Sequence, residues 1–509
     1  MRLLRYIMPA AMSLAALAGC GQDPVHFPAE SMQQAAERVG ASRAFDSDHD
    51  GRADVYFFGS SKSDNARLTR LAFDHDGDGT IERWVHLDAI DTDQCRHLVV
   101  ILDGFAYDVV QEYRRAGGLR LFHAPSKVVA PYPTMTDVCV EDLLGYVPAK
   151  AFEAKYYNHR AGKTVGGALD YIKGLNQPYN QLLQYRANLI LDAVGYVYPW
   201  KVFGHEVNNV KETFDERKNK EVLTYIVSSA GMSTQHGKQG QFRCLRRVER
   251  LIHQVLVETQ GLTKVTLISD HGHSYTQSVR CPIIDHLQKN GWCVRDRIEK
   301  DQDVVVPDFG LLTYASVNTR KPEEVARDLV ALKGVDLLSF PSPTDPPAIE
   351  VWGASAKTDP NAPNPRAIIR RTGDGRFHYE PVVGDPLKLK GVLANLEPDA
   401  NGAYDADELL AATVDSEYPA PLQRIWRAHY ALVEHPPTMI VSLEDGYYFG
   451  MSGFAGAVDV ASTHGSLNRS NSVTFIMSTA GPLPALLRSG DVPAAMRELL
   501  NASRWPTRE

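Results

Sequence analysis

The stretch Val265–Ser274, VTLISDHGHS, constrains this chain more than any other. Its first half, Val265 to Ile268, is apolar or β-branched, the composition of a buried strand. It runs directly into Ser269, Asp270, His271 and Gly272. In open α/β sheets, ligands sit at the carboxyl ends of the strands. An oxygen donor beside an imidazole at such a place suits a divalent metal such as zinc. A second stretch repeats the pattern. His97–Leu102, HLVVIL, reads as a buried strand that delivers Asp103 and Gly104, and Phe105–Arg115 then reads as a helix. Val222–Val227 and Val473–Ser478 also read as strands, and Phe242–Glu258 as an amphipathic helix. This alternation predicts an α/β protein with a central, mostly parallel sheet flanked by helices.

Two further segments carry chemistry-bearing residues. In Pro133-Thr134-Met135-Thr136, Thr136 precedes Asp137–Leu144, which reads as the first turns of a helix. A helix N-terminus favours an anion such as phosphate, although a plain N-cap explains the same residue. His464, in Thr463-His464-Gly465-Ser466-Leu467, precedes the strand Val473–Ser478; alone it reads as a loop histidine. The 509 residues are enough for about two or three domains. A hydrophobic content of 44% and a charged content of 23% are ordinary globular values, and a formal net charge of −8 gives no footprint for nucleic acid.

The N-terminal part reads differently. Residues 1–19 form an export signal, with Arg2 and Arg5 ahead of a short apolar run, Ile7–Leu17. The run ends in Leu17-Ala18-Gly19-Cys20, which resembles the lipobox of bacterial lipoproteins. That likeness implies a diacylated Cys20 and a membrane anchor. With Gly21 rather than Asp next to it, it implies an outer-membrane lipoprotein facing the periplasm or the cell surface. Residues 20–44 read as a polar tether. Residues 45–94 hold a repeat. Asp46, Asp48, Asp50, Gly51 and Asp54 recur 28 residues later as Asp74, Asp76, Asp78, Gly79 and Glu82. Carboxylates at positions 1, 3, 5 and 9, with Gly at 6, are a Ca²⁺-loop arrangement. Position 12 is Phe57 or Val85 instead of Glu, and the flanks Val55–Phe58 and Trp84–Leu87 are strand-like. The expectation is calcium-binding β-hairpins, not helix-loop-helix units. Of the five later cysteines, Cys281 and Cys293 form a candidate pair in an oxidising compartment.

Taken together, LDGF (102–105), PTMT (133–136), SDHG (269–272) and THGSL (463–467) resemble the alkaline phosphatase superfamily, in its type I phosphodiesterase and nucleotide pyrophosphatase branch. Their order along the chain is that of the family, and the likeness covers roughly residues 96–480. It implies an alkaline-phosphatase-like core in two parts, 95–302 and 436–509. Between them, 303–435 reads as an inserted cap, after which Thr438–Leu443 returns to the core. The resemblance further implies a first metal, Zn²⁺ or Mn²⁺, held by Asp103, Asp270, His271 and the nucleophile Thr136. It implies a second metal held by an Asp, a His four residues later, and His464. The middle histidine of that second set falls on His236.

Here the sequence departs from the family. Four residues before His236 stands Met232, and Ser228 and Ser229 occupy places where an aspartate is expected. The second site therefore lacks a clear carboxylate and is expected to hold its ion more weakly. The reading that follows is a metal-dependent hydrolase of phosphoric mono- or diesters with a phospho-enzyme intermediate. Two alternatives stand beside it: a lipid-anchored binding protein that keeps one metal, and a phosphoryl transferase.

Overall fold

The computed structural model describes residues 23–61, 63, 65–354, 363–451 and 460–507. Residues 1–22, including the export signal and Cys20, lie outside the described residues.

The chain is a mixed α/β protein with several sheets. The main sheet has seven strands. In spatial order they are Leu486–Arg488, Ser126–Val129, Val473–Ser478, Thr263–Ser269, Arg96–Leu102, Glu221–Ile226 and Tyr185–Arg186. All neighbours run parallel except Val473–Ser478, which is antiparallel to the strands on both of its sides. Alternate residues of the central strand Arg96–Leu102 face opposite layers, as the two-residue period of a strand requires. Leu98, Val100 and Leu102 pack with helix residues Phe203, Val207, Leu245 and Ile252 on one face. Val99 and Ile101 pack with Val140, Leu143 and Leu144 on the other. Both faces are covered, which is why this strand reads as an unbroken apolar run.

A second sheet of six strands is wholly antiparallel. Five of its strands, from Tyr314–Val317 to Phe377–Val383, lie within 303–435. The sixth is Met439–Leu443, which pairs with Tyr314–Val317 on one side and Val335–Ser342 on the other. This corrects the expectation that Thr438–Leu443 rejoins the main sheet. Its buried, apolar residues satisfy either sheet equally well, and pairing decides between them.

A third sheet comprises Arg43–Phe45, Val55–Gly59, Leu68–Phe73 and Arg83–His86, all antiparallel. Its two acidic loops, 46–54 and 74–82, lie at the same end, and the side chain of Arg52 lies against Gly77. Residues 23–44 are not a free tether. They carry a helix, Gln33–Val39, and bury Val25 and Phe27 in the layer that also covers Arg96–Leu102. Gln254 fixes this segment by accepting from Phe27 N and donating to Pro24 O. Cys281 and Cys293 are free thiols; the first is buried and the second exposed. Among the described residues no helix is long and apolar enough to cross a membrane.

Candidate functional site

The carboxyl ends of two adjacent strands create the site. Leu102 and Ser269 are register partners in the main sheet, so the next residue of each strand, Asp103 and Asp270, emerges beside the other. Asp103 is held by the Tyr225 hydroxyl, which donates to its Oδ2 at 2.7 Å. Asp270 Oδ1 accepts from Gly104 N at 3.1 Å and His271 N at 3.0 Å. These bonds fix both carboxylates and leave Asp103 Oδ1 and Asp270 Oδ2 buried without a hydrogen-bond partner.

Those two oxygens converge on His271. Its Nε2 lies 3.4 Å from Asp103 Oδ1 and 3.5 Å from Asp270 Oδ2, while its Nδ1 is bonded to Gly272 O at 2.9 Å. Thr136 Oγ1 stands 3.3 Å from the same Nε2. Thr136 opens the helix Thr136–Leu144 and is only half-buried, whereas Thr134 is fully buried. Thr134 has a structural task. Its hydroxyl accepts from Gly465 N at 2.9 Å and its carbonyl bonds His464 Nδ1 at 2.8 Å. The segment that presents Thr136 thereby also fixes His464, whose ring stacks on His271 with centroids 4.0 Å apart and planes at 17°.

Burial sets the charges. It raises the Asp103 carboxyl well above the usual carboxylate range, with the neighbouring Asp270 adding to the effect. Burial pushes Asp270 up to about 7 and His271 down to about 4. His464 is held well below its ordinary value by burial and by the neighbouring His271. Two buried acids that disfavour their own negative charge, beside a neutral imidazole and a hydroxyl, form a donor set with room for positive charge. Oxygen, oxygen and nitrogen donors at this spacing could hold a metal ion.

His236 does not join this group. It lies exposed on the helical segment Ser228–Glu258, next to the kink at Gly237, and Met232 is buried in the apolar layer. The serines that replace an expected aspartate brace the backbone instead. Ser229 donates to Asp103 O and Ile226 O, both at 2.9 Å. Glu206, from the preceding helix, accepts from Val227 N and Ser228 N at the start of this segment.

A residue the sequence reading passed over lies beside the cluster. His273 is fully buried, with its ring centroid 5.1 Å from His464 and 6.1 Å from His271. Its Nδ1 is 2.9 Å from Ser462 Oγ. The signal was present in SDHGHS, because residues two apart on an extended segment share a side.

The acidic loops repeat each other closely. In each, the first Asp accepts from the backbone N–H groups at positions 5 and 6, at 3.1 and 2.8 Å. Gly51 and Gly79 have φ of 93° and 91°. Oxygens of Asp46, Asp48 and Asp50 gather in one loop, and of Asp74, Asp76, Asp78 and Glu82 in the other. Asp54 turns away, to Ser47.

The molecule is thus a mixed α/β protein with a buried carboxylate–histidine cluster at the ends of its central strands. No protein-family model matches the chain, and no curated protein matches it in sequence. Among solved structures it is similar to the mouse ectonucleotide pyrophosphatase / phosphodiesterase 5, at 12% identity with a TM-score of 0.39. It is also similar to the human ectonucleotide pyrophosphatase / phosphodiesterase 5, at 12% identity with a TM-score of 0.42. Each alignment covers 81% of this chain and 96% of the other.

Proposed function

We propose that this protein is a metal-dependent hydrolase of phosphoric esters in which Thr136 is the nucleophile. One observation carries the reading: the unpartnered Asp103 Oδ1 and Asp270 Oδ2 face His271 Nε2, with the Thr136 hydroxyl at the same point. Asp103, Asp270, His271 and Thr136 would hold the metal, Zn²⁺ or Mn²⁺. When bound, it supplies Lewis-acid stabilisation of phosphoryl oxygens and lowers the pKa of a coordinated hydroxyl. Thr136, half-buried at the head of its helix, presents its hydroxyl to an ester from the solvent side. Its Oγ1 forms a bond to phosphorus as the ester oxygen leaves, and the hydroxyl proton ends on the departing alcohol. Water then cleaves the phosphothreonine and restores the hydroxyl. The backbone N–H groups that begin Thr136–Leu144 favour the negative phosphoryl group.

Two further assignments belong to this proposal. The loops 46–54 and 74–82 bind Ca²⁺ through the acidic groups gathered there, and Cys20 carries a lipid that anchors the protein to the outer membrane. The exposed position of His236 favours the alternative of a binding protein with a single metal. A panel of p-nitrophenyl phosphate, bis-p-nitrophenyl phosphate, phosphonate and sulfate esters, assayed with Zn²⁺ and Mn²⁺, separates the readings. Thr136→Ala should abolish turnover while Asp103, Asp270 and His271 still hold the metal, and Thr136→Ser should retain part of the turnover. Native-rate hydrolysis by Thr136→Ala rejects the nucleophile assignment; no turnover by the native protein on any ester favours the binding protein.

A further inference from the structure

We infer that an arginine-lined cleft, on the helical layer covering the main sheet, takes the phosphate headgroup of an anionic membrane lipid. This rests on the reading that the mature chain is anchored to a membrane. The first ground is spacing. Beyond its kink at Gly237, the helical segment Ser228–Glu258 carries Arg243, Arg246, Arg247 and Arg250. Positions i, i+3, i+4 and i+7 share one helical face. All four line an open cleft of about 470 Å³, together with Asp23 and Trp200. Arg246 and Arg250 also line a second cleft of about 630 Å³, walled by Phe45, Tyr113 and Phe242. The two clefts adjoin across these arginines.

The second ground is unmatched charge. Arg247 is taken: Nη2 donates to the two Asp23 oxygens at 2.6 and 2.8 Å, and Nη1 to Val25 O at 2.9 Å. Glu249 in the larger cleft is taken too. It accepts from the Tyr113 hydroxyl and Leu119 N, both at 2.8 Å, and lies 3.6 Å from Arg43. Arg250 gives its Nε to Phe27 O at 2.7 Å. Arg243 lies over the Trp200 ring at 4.3 Å. Among the described residues, Arg243, Arg246 and Arg250 form no ion pair, and the first two are exposed. On a chain of net charge −8, three such guanidiniums make a local positive field.

The third ground is apolar company. Trp200 and its neighbour Tyr198 are 39% and 48% exposed. Exposed Trp and Tyr suit the membrane–water interface, where their rings lie at headgroup level. A basic stripe on an amphipathic helix attracts anionic lipid.

The fourth ground is where the chain enters. Arg247 and Arg250 pin Asp23, Val25 and Phe27 to this face. Cys20 stands three residues before Asp23. A lipid carried there begins within about 11 Å of chain from that carboxylate. Anchor and cleft therefore address the same surface, which selects a membrane lipid over a soluble phosphate.

Vesicle sedimentation tests the inference on the chain from residue 20 with Cys20→Ser, which carries no lipid. The vesicles are phosphatidylcholine alone, or phosphatidylcholine with phosphatidylglycerol. The protein should bind the second and not the first, and less tightly as salt rises. One arginine at a membrane surface is worth about fivefold in binding, so the Arg243→Gln, Arg246→Gln double variant should bind about 30-fold more weakly. A charge-matched control at two exposed arginines elsewhere, Arg295→Gln with Arg320→Gln, should bind as the parent does. Circular dichroism checks the fold; if the double variant is unfolded, the single Arg246→Gln, expected to bind about fivefold more weakly, decides. Equal binding to both vesicles, or equal losses in the double variant and the control, overturns the inference. So does full competition by glycerol phosphate at matched phosphate concentration, which makes the cleft a site for soluble esters. The tested chain lacks the lipid, so an unmodified Cys20 in the native protein refutes the anchor and leaves the vesicle result to be read separately.

Discussion

Replacing Asp103 by Asn separates a site built around a cation from one that merely buries two acids. Oxygens of Asp103 and Asp270 lie within 4.8 Å of each other. Two unit charges no farther apart than that repel by at least about 3.5 kcal/mol at an effective dielectric of about 20. Asn keeps the shape of the side chain, and its carbonyl still accepts from the Tyr225 hydroxyl. Metal-free Asp103→Asn should therefore be more stable than metal-free native protein by about 2–4 kcal/mol at pH 8.5. Added zinc should reverse the order. Native protein gains about 4.1 kcal/mol when free zinc is at a thousandfold excess over Kd, whereas the variant, short of one ligand, gains much less. Denaturant unfolding with EDTA and then with buffered zinc measures both quantities. A variant less stable than native in EDTA, or equally stabilised by zinc, refutes the claim that the paired carboxylates await a cation.

The remaining predictions address other parts of the molecule. Glu141, a buried residue of the helix that begins at Thr136, has its carboxyl pushed up to about 8 by burial. The folded state then binds the extra proton between about pH 4.5 and 8, so this group's contribution to stability is lost as pH rises through that window. Glu141→Gln, whose amide oxygen can still accept from Tyr179 N, should match native stability at pH 5 and exceed it by up to about 4 kcal/mol at pH 8.5; an equal difference at both pH values rejects the assignment. Calorimetry of the full chain should show Ca²⁺ uptake that the Asp48→Ala, Asp76→Ala double variant lacks, and no uptake by native protein removes calcium from the acidic loops.

The strands that carry the first cluster were legible because both of their faces are buried. Arg96–Leu102 and Thr263–Ser269 show that as uninterrupted apolar or β-branched runs, and the acids follow at once. Composition reports burial but not which sheet does the burying, so Met439–Leu443 was assigned to the wrong one. The polar segment 20–44 conceals two anchors, Val25 and Phe27, whose burial depends on a partner more than 200 residues away. His236 was assigned through the family resemblance alone, and no carboxylate four residues before it supported the assignment. Met232 is buried while His236, beside the kink at Gly237, is exposed, and the segment after Asp270 places His273 near His464 instead.

The antiparallel strand Val473–Ser478 has a consequence for how the molecule is made. It lies between Ser126–Val129 and Thr263–Ser269, both of which leave the ribosome long before it. Until residue 478 is synthesised, those two strands have an unfilled gap between them, each with a bare hydrogen-bonding edge. His464 arrives only shortly before the strand that closes the gap. Completion of the sheet and completion of the histidine cluster are thus late, coincident events. A chain truncated near residue 460 would be a split sheet with adhesive edges, not an inactive but well-folded protein.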